Sequence, residues 1–396
     1  MNEEQYHALC ESCDGVLSAS DSSVERMAIA WLHIMREHPV FMENYLDLFD
    51  DKKRISGLVK PWTRSLRNNA IWMRQLLKFS ISDGGLWHGS EKLPASVDII
   101  FVSHLLNISQ AGQSDDFYFG HVPRELAAKK NRSALIVLIN HTDQPAEAIV
   151  DKWKDCSVPR VVLCRSLSVP KEISLRIRLE KESIRLRSQA RATTSGLNKR
   201  VLLSASHEAS SSSALAALRM SNQMSDLITK HKPKAIITTH EGHAWERLMF
   251  QAVRSVDSNI LCIGYQHAAL FRLQHSIRQT HSNEYNPDVI LTAGEVSQAQ
   301  LKKTLGLAEK PIAVLGSSRC FTAMPSDQSD EPKRDLHRNK VGAICLVIPE
   351  GIASECHELF EFSLACALEL PEVQFVWRLH PLISFKMLTR KNPRLR

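Results

Sequence analysis

No stretch of this 396-residue chain approaches the ~18 consecutive apolar positions that a membrane-spanning helix needs. The opening residues, MNEEQYHALCESCDG, are polar and acidic and do not read as a signal peptide, so the expected compartment is the cytoplasm. There the three N-x-[ST] sequons, at Asn107, Asn131 and Asn140, are chance matches. A disulfide framework is not expected either. The nine cysteines are odd in number and lie singly in apolar stretches, as at Cys164, Cys262 and Cys345. Cys10 and Cys13 form one C-x-x-C with no second pair, too little to predict a zinc or redox centre. The chain has no G-x-x-x-x-G-K-[ST], no G-x-G-x-x-G after a strand, and no G-x-S-x-G. P-loop ATPase, dinucleotide oxidoreductase and α/β-hydrolase readings all lose their support. Charge is nearly balanced, 50 basic against 43 acidic side chains, and the net +7 does not by itself point to nucleic acid. What remains is an ordinary globular composition, 43% hydrophobic and 23% charged, on a chain long enough to bury a sizeable core.

Residues 1–90 read as a helical region. Val24 to Phe49 opens with Val24, Met27, Trp31, Ile34 and Met35 at helical spacing, and Pro39 is the expected break. A further helical stretch carries Ile71, Trp72, Leu76 and Leu77 and ends near Gly84 and Gly85. From Val97 onward the pattern changes to short β-branched runs. VDIIFV, ALIVLI from Ala134, RVVLC from Arg160, AIITT from Ala235, ILCIGYQ from Ile260, DVILTAG from Asp288 and IAVLG from Ile312 follow one another. GAICLVIP from Gly342 and QFVWRLHP from Gln374 come after a polar interval. Near-continuous apolar strands separated by amphipathic segments predict parallel sheets flanked by helices, an α/β fold. The charged segment Ser326 to Lys340 reads as a linker. The expectation is therefore two Rossmann-like domains, 91–330 and 335–396. The second has only two strands, which predicts a fragment or a remnant of a doubly wound domain.

In open α/β sheets ligands bind at the carboxyl ends of strands, so the polar residues there are the candidates for chemistry. TTHEGHAWER puts His240, Glu241, His243 and Glu246 within seven residues after AIITT, with Gly242 permitting a tight turn. The spacing is not H-E-x-x-H, so no metal is predicted. The open alternatives are a base or acceptor-hydroxyl ligand, or helix capping and structural hydrogen bonds. GYQHAAL adds Gln266 and His267 at the next strand end, facing the same crevice. Glu350 and Gly351 then open a helix whose N-terminal N–H groups would suit a diphosphate. Arg378 and His380 offer further donors to phosphate oxygens at the last strand end. The interval Lys171 to Arg200 holds nine Lys or Arg against three Glu, an excess of six. It reads as a solvated face or as a contact for anionic lipid or a phosphorylated substrate; it lacks aromatics for base stacking. Ser210 to Ser213 reads as a flexible loop.

The order GYQHA, PDVILTAGE, IAVLGSSR, PEG, RLHP resembles the GT-B glycosyltransferases of bacterial surface polysaccharides, above all the surface-carbohydrate proteins of capsule and O-antigen clusters. It is distantly similar to CDP-glycerol glycerophosphotransferases and capsular Kdo transferases, although Ala268 stands where those relatives carry glycine. The resemblance spans roughly Val97 to Arg396 and implies transfer of a sugar from a nucleotide donor to a polysaccharide or lipid-linked acceptor. It implies no metal and no cofactor beyond the nucleotide-sugar substrate. It further implies peripheral contact with the inner face of the plasma membrane. Carried over, Glu241, His243 and His267 would be catalytic, with His240, Glu246 and Gln266 on the acceptor side. Glu350, Gly351, Arg378 and His380 would hold the donor. A nucleotide-sugar 2-epimerase and a truncated, non-catalytic binding subunit stay open as alternatives.

Overall fold

Each of the nine β-branched runs becomes a strand. The computed structural model describes residues 1–36, 42, 44–49, 70, 72–74, 85–89, 93–130, 132–153, 156–318, 343–350, 352–379 and 383–395. Pro39, Ile71, Leu76, Leu77, Gly84, the linker expected at Ser326 to Lys340, Gly351 and His380 lie outside the described residues. The chain divides into two compact units, Met1–Phe321 and Thr322–Arg396.

The first unit is built on an eight-stranded sheet. Its strands are β1 (Trp87–Gly89), β2 (Ile99–Leu105), β3 (Ala134–Asn140), β4 (Arg160–Leu163), β5 (Ala235–Thr239), β6 (Leu261–Gln266), β7 (Val289–Thr292) and β8 (Ile312–Val314). Their order is β1-β4-β3-β2-β5-β6-β7-β8, and every neighbouring pair is parallel except β1 with β4. The chain thus runs outward from β2 through β3 to β4, then returns across the sheet to β5 and continues outward on the other side. That reversal puts a topological switch point between β2 and β5. Strand side chains alternate, and both faces are buried: β2 sends Ile100 and Val102 into one core and Phe101 and Leu105 into the other. A mostly parallel α/β architecture is therefore correct for this unit.

Helices whose bounds lie among the described residues are α1 (Glu3–Leu17), α2 (Val24–Met27), α3 (Val122–Lys130), α4 (Ala146–Val150), α5 (Val169–Ala192), α6 (Leu197–Glu208), α7 (Ser212–His231), α8 (Ala244–Val256) and α9 (Glu295–Lys302). None of the described helices is long and apolar enough to cross a membrane. The N-terminal residues do not stand apart from the sheet unit. Leu9, Cys13 and Leu17 of α1 share one core with Leu179 and Leu186 of α5 and Leu215 and Leu218 of α7.

Three sequence expectations change here. The run from Val24 is not one helix: α2 stops at Met27 and 3-10 turns follow at Ala30–Leu32 and Leu46–Phe49. Met27, Ala28, Ile29 and Leu32 are all buried, and Ile29 adopts an extended backbone that ends the helix. Trp87–Gly89, inside the region expected to be helical, is an antiparallel edge strand on β4. Ser210 to Ser213 is no flexible loop either. Ser211 caps α7 by accepting the Ala214 N–H at 3.2 Å, and Ser210 donates to Glu180 at 2.7 Å. The basic interval is α5 and the start of α6, and its charge is partly spent at home. Arg178 pairs with Glu25, Arg185 with Asp21 and Glu182, and Arg176 with Glu180.

The second unit contains β9 (Ile344–Val347), α10 (Ala353–Glu369), β10 (Gln374–Trp377) and α11 (Phe385–Lys391), with β9 and β10 parallel. Val347, Cys356, Phe360, Leu388 and Leu395 form its core. Trp377 stacks on Phe360 with ring centroids 4.6 Å apart and donates its indole N–H to Ser363 at 2.8 Å.

Candidate functional site

A histidine closes each of four adjacent strands around the switch point. His104 lies in β2, and His141, His240 and His267 immediately follow β3, β5 and β6. They do not converge as a metal cage: among the described residues no group of three His, Cys, Asp or Glu could hold an ion. They interact in pairs and with aromatic rings. His104 Nδ1 meets His141 Nε2 at 2.9 Å, and His104 Nε2 meets Thr239 Oγ1 at 3.0 Å. Trp245 and Tyr118 pack edge-on against the His104 ring at centroid distances of 5.1 and 5.4 Å. Burial, reinforced by His141, pulls the His104 imidazole down to about 3, so it is neutral at physiological pH. A neutral imidazole donates through one nitrogen and accepts through the other, so His141, His104 and Thr239 form a directed hydrogen-bond chain across β3, β2 and β5. Tyr118 also touches His267, with ring centroids 4.7 Å apart.

The turn after β5 is held by Glu246. Its carboxylate, fully buried in the first turn of α8, accepts the backbone N–H groups of Glu241, Gly242 and His243 at 2.9, 2.7 and 2.9 Å. His240 Nδ1 stands 3.4 Å from the same carboxylate. Burial favours the neutral acid, but the contact with His240, the charge of His243 and the backbone N–H groups outweigh it and hold Glu246 at about 2. Glu246 is thus an ionised anchor for the turn, with its oxygens occupied by backbone donors. The turn passes through Gly242 at φ +90°, where a Cβ would lie 2.3 Å from the Ser276 carbonyl carbon. Ser276 in turn donates its hydroxyl to the Gly242 carbonyl at 2.5 Å. The buried Arg247 guanidinium ties that same loop down through Asn286 Oδ1 at 2.8 Å and the Ser276 and Gln279 carbonyls at 2.7 and 2.9 Å. His240 itself is buried over Gly264 of β6, where a Cβ would come within 2.8 Å of its ring.

With Glu246 and His240 committed inward, Glu241 and His243 face outward. Their side chains are 25% and 41% exposed, and Glu241 Oε2 lies 3.4 Å from His243 Nε2. Burial opposes charge on both groups, but their mutual contact wins. Glu241 titrates below its ordinary value and His243 above it, so the contact favours the carboxylate and the imidazolium forms. Glu241 also lies within electrostatic reach of the His267 imidazole. No protein-family model matches the chain, and no curated protein does.

Of the residues singled out in the sequence, His240, Glu241, His243, Glu246, Gln266 and His267 gather at the carboxyl ends of β5 and β6 in the first unit. Gln266 is buried and its amide donates to the Ala268 carbonyl, shaping the turn that carries His267. Glu350 and Arg378 belong to the second unit, each exposed at the end of its strand. His104, His141, Thr239, Tyr118 and Trp245 were missed. The signal that selected His267, a histidine at the carboxyl end of a buried run, is also present in FVSHL and LINHT.

Proposed function

We propose that this chain is a GT-B-type glycosyltransferase of bacterial surface-polysaccharide assembly, moving a sugar from a nucleotide donor to a hydroxyl of a polysaccharide or lipid-linked acceptor. The observation that carries this reading is the Glu241–His243 ion pair beside His267, at two adjacent strand ends next to the switch point. An acceptor hydroxyl seated there needs a base and a source of positive charge. Ion pairing weakens Glu241 as a base, so His267 takes the acceptor proton as the new glycosidic bond forms. His243, whose protonated form the Glu241 contact favours, offsets the negative charge that develops as the bond to the nucleotide phosphate breaks. His141, the exposed end of the His141–His104–Thr239 chain, supplies a donor or acceptor for a sugar hydroxyl at the neighbouring strand end. Glu350, Gly351, Arg378 and His380 are the proposed donor contacts in the second unit, through the helix N-terminus and the guanidinium fork.

The test is nucleotide release from a panel of UDP-, GDP- and CMP-sugars in the presence of a lipid-linked oligosaccharide acceptor. One donor class is expected to turn over, with His267→Ala lowering kcat by ~100-fold or more. Conversion of nucleotide sugar without acceptor would indicate a 2-epimerase instead. The absence of both turnover and calorimetric binding across the whole panel overturns the reading.

A further inference from the structure

Helix α5 turns a line of aliphatic side chains into solvent. Ile173, Ile177 and Ile184 are 42%, 50% and 64% exposed, and on a helix of 3.6 residues per turn they fall within about 40° of one another. Core positions of the same helix, such as Leu179 and Leu186, are buried on the opposite side. Three exposed branched side chains in register on one face form a line, unlike the single scattered ones that any surface carries. Lys181, Arg187 and Arg191 flank this line, within about 60° of its centre. Among the described residues none of these three has a carboxylate within ion-pair distance. Glu180, which shares the face, is committed to Arg176 and Ser210.

From this combination we infer that α5 is a membrane-contact surface, laying its isoleucines into the headgroup boundary of an anionic bilayer while the three cations engage lipid phosphates. Charge complementarity selects this occupant. A second copy of the chain would bring its own three cations against these, whereas an anionic surface neutralises them. The site is separate from the histidine cluster, and the inference does not depend on the transfer reaction.

Sedimentation with vesicles of phosphatidylcholine, alone or mixed with phosphatidylglycerol, tests it on the full chain. The protein pellets with the mixed vesicles at low salt and stays in the supernatant with phosphatidylcholine. Ile177→Ser/Ile184→Ser abolishes pelleting, and Lys181→Ser/Arg187→Ser/Arg191→Ser weakens it by on the order of 100-fold, about fivefold per cation. All five positions are exposed or at the surface, and unchanged thermal melting shows that the variants fold. Equal pelleting of wild type and both variants overturns the inference. So does a dimer in light scattering that the isoleucine variant dissociates, because the stripe is then an interface between copies.

Discussion

Replacing Glu246 by Gln tests how the site is held together. The side chain keeps its shape and loses its charge, and its amide nitrogen cannot accept from the backbone N–H groups that the carboxylate gathers at 2.7–3.1 Å. The magnitude follows from linkage. Glu246 is held at about 2 against an ordinary 4.5, which corresponds to on the order of 3 kcal/mol of stability when the carboxylate is charged in both states. The sign follows from the lowered value. The contribution is complete above pH 4.5 and disappears as the pH falls toward about 2, because the unfolded chain takes up the proton first. Glu246→Gln should therefore lower the urea midpoint at neutral pH by an amount equivalent to roughly 2–4 kcal/mol, since a neutral amide oxygen accepts the three N–H groups more weakly than the carboxylate does. The gap to wild type should narrow steadily on acidification below pH 4.5. A variant within ~0.5 kcal/mol of wild type at neutral pH, or a gap that ignores pH in that window, would refute the assignment of Glu246 as the anchor of the turn.

Gly242→Ala should cost about 2–4 kcal/mol in thermal or urea unfolding, because φ +90° strains any L side chain and the new Cβ would meet the Ser276 backbone at 2.3 Å. Glu241→Gln should lower the His243 pKa from its raised value, read from imidazole chemical shifts against pH, because the neighbouring carboxylate is what opposes burial. His33 is buried, hydrogen-bonded to the Met27 carbonyl at 2.9 Å and pushed down to about 3, so it stays neutral in the fold. His33 should therefore contribute a loss of roughly 2 kcal/mol of stability by about pH 5 as the pH drops below 6.5, and His33→Phe should remove that share while the shares of His104 and His281 remain. Removing Arg26, fully buried against Glu182 at 2.6 Å and Asp21 at 2.8 Å, should cost about 3–5 kcal/mol, because buried Glu182 is left with only the longer contact to Arg185 at 3.3 Å.

The sequence by itself determined nine strands and the α/β class, because runs such as ALIVLI are buried on both faces and nothing but a covered parallel sheet satisfies that pattern. It also located Glu241, His243 and His267 at strand ends, since strand and polar cluster are contiguous in the chain. Tertiary structure decided the rest. Trp87–Gly89 has no periodic signal and is a strand only because β4 offers it an edge. The chain that follows Met27 leaves the helix although its apolar residues keep helical spacing, and Ile29 is buried with an extended backbone. Of the two glutamates of HEGHAWE, Glu246 turns inward as the third helical residue of a capping box with His243, a local i, i+3 relation, while Glu241 on the turn is left partly exposed beside His243. His104 and His141 lie 37 residues apart and meet only because β2 and β3 pair in register. Hydrophobic patterning is local and survives in one dimension; hydrogen-bond partners, burial and the pKa values they set depend on which distant strands become neighbours.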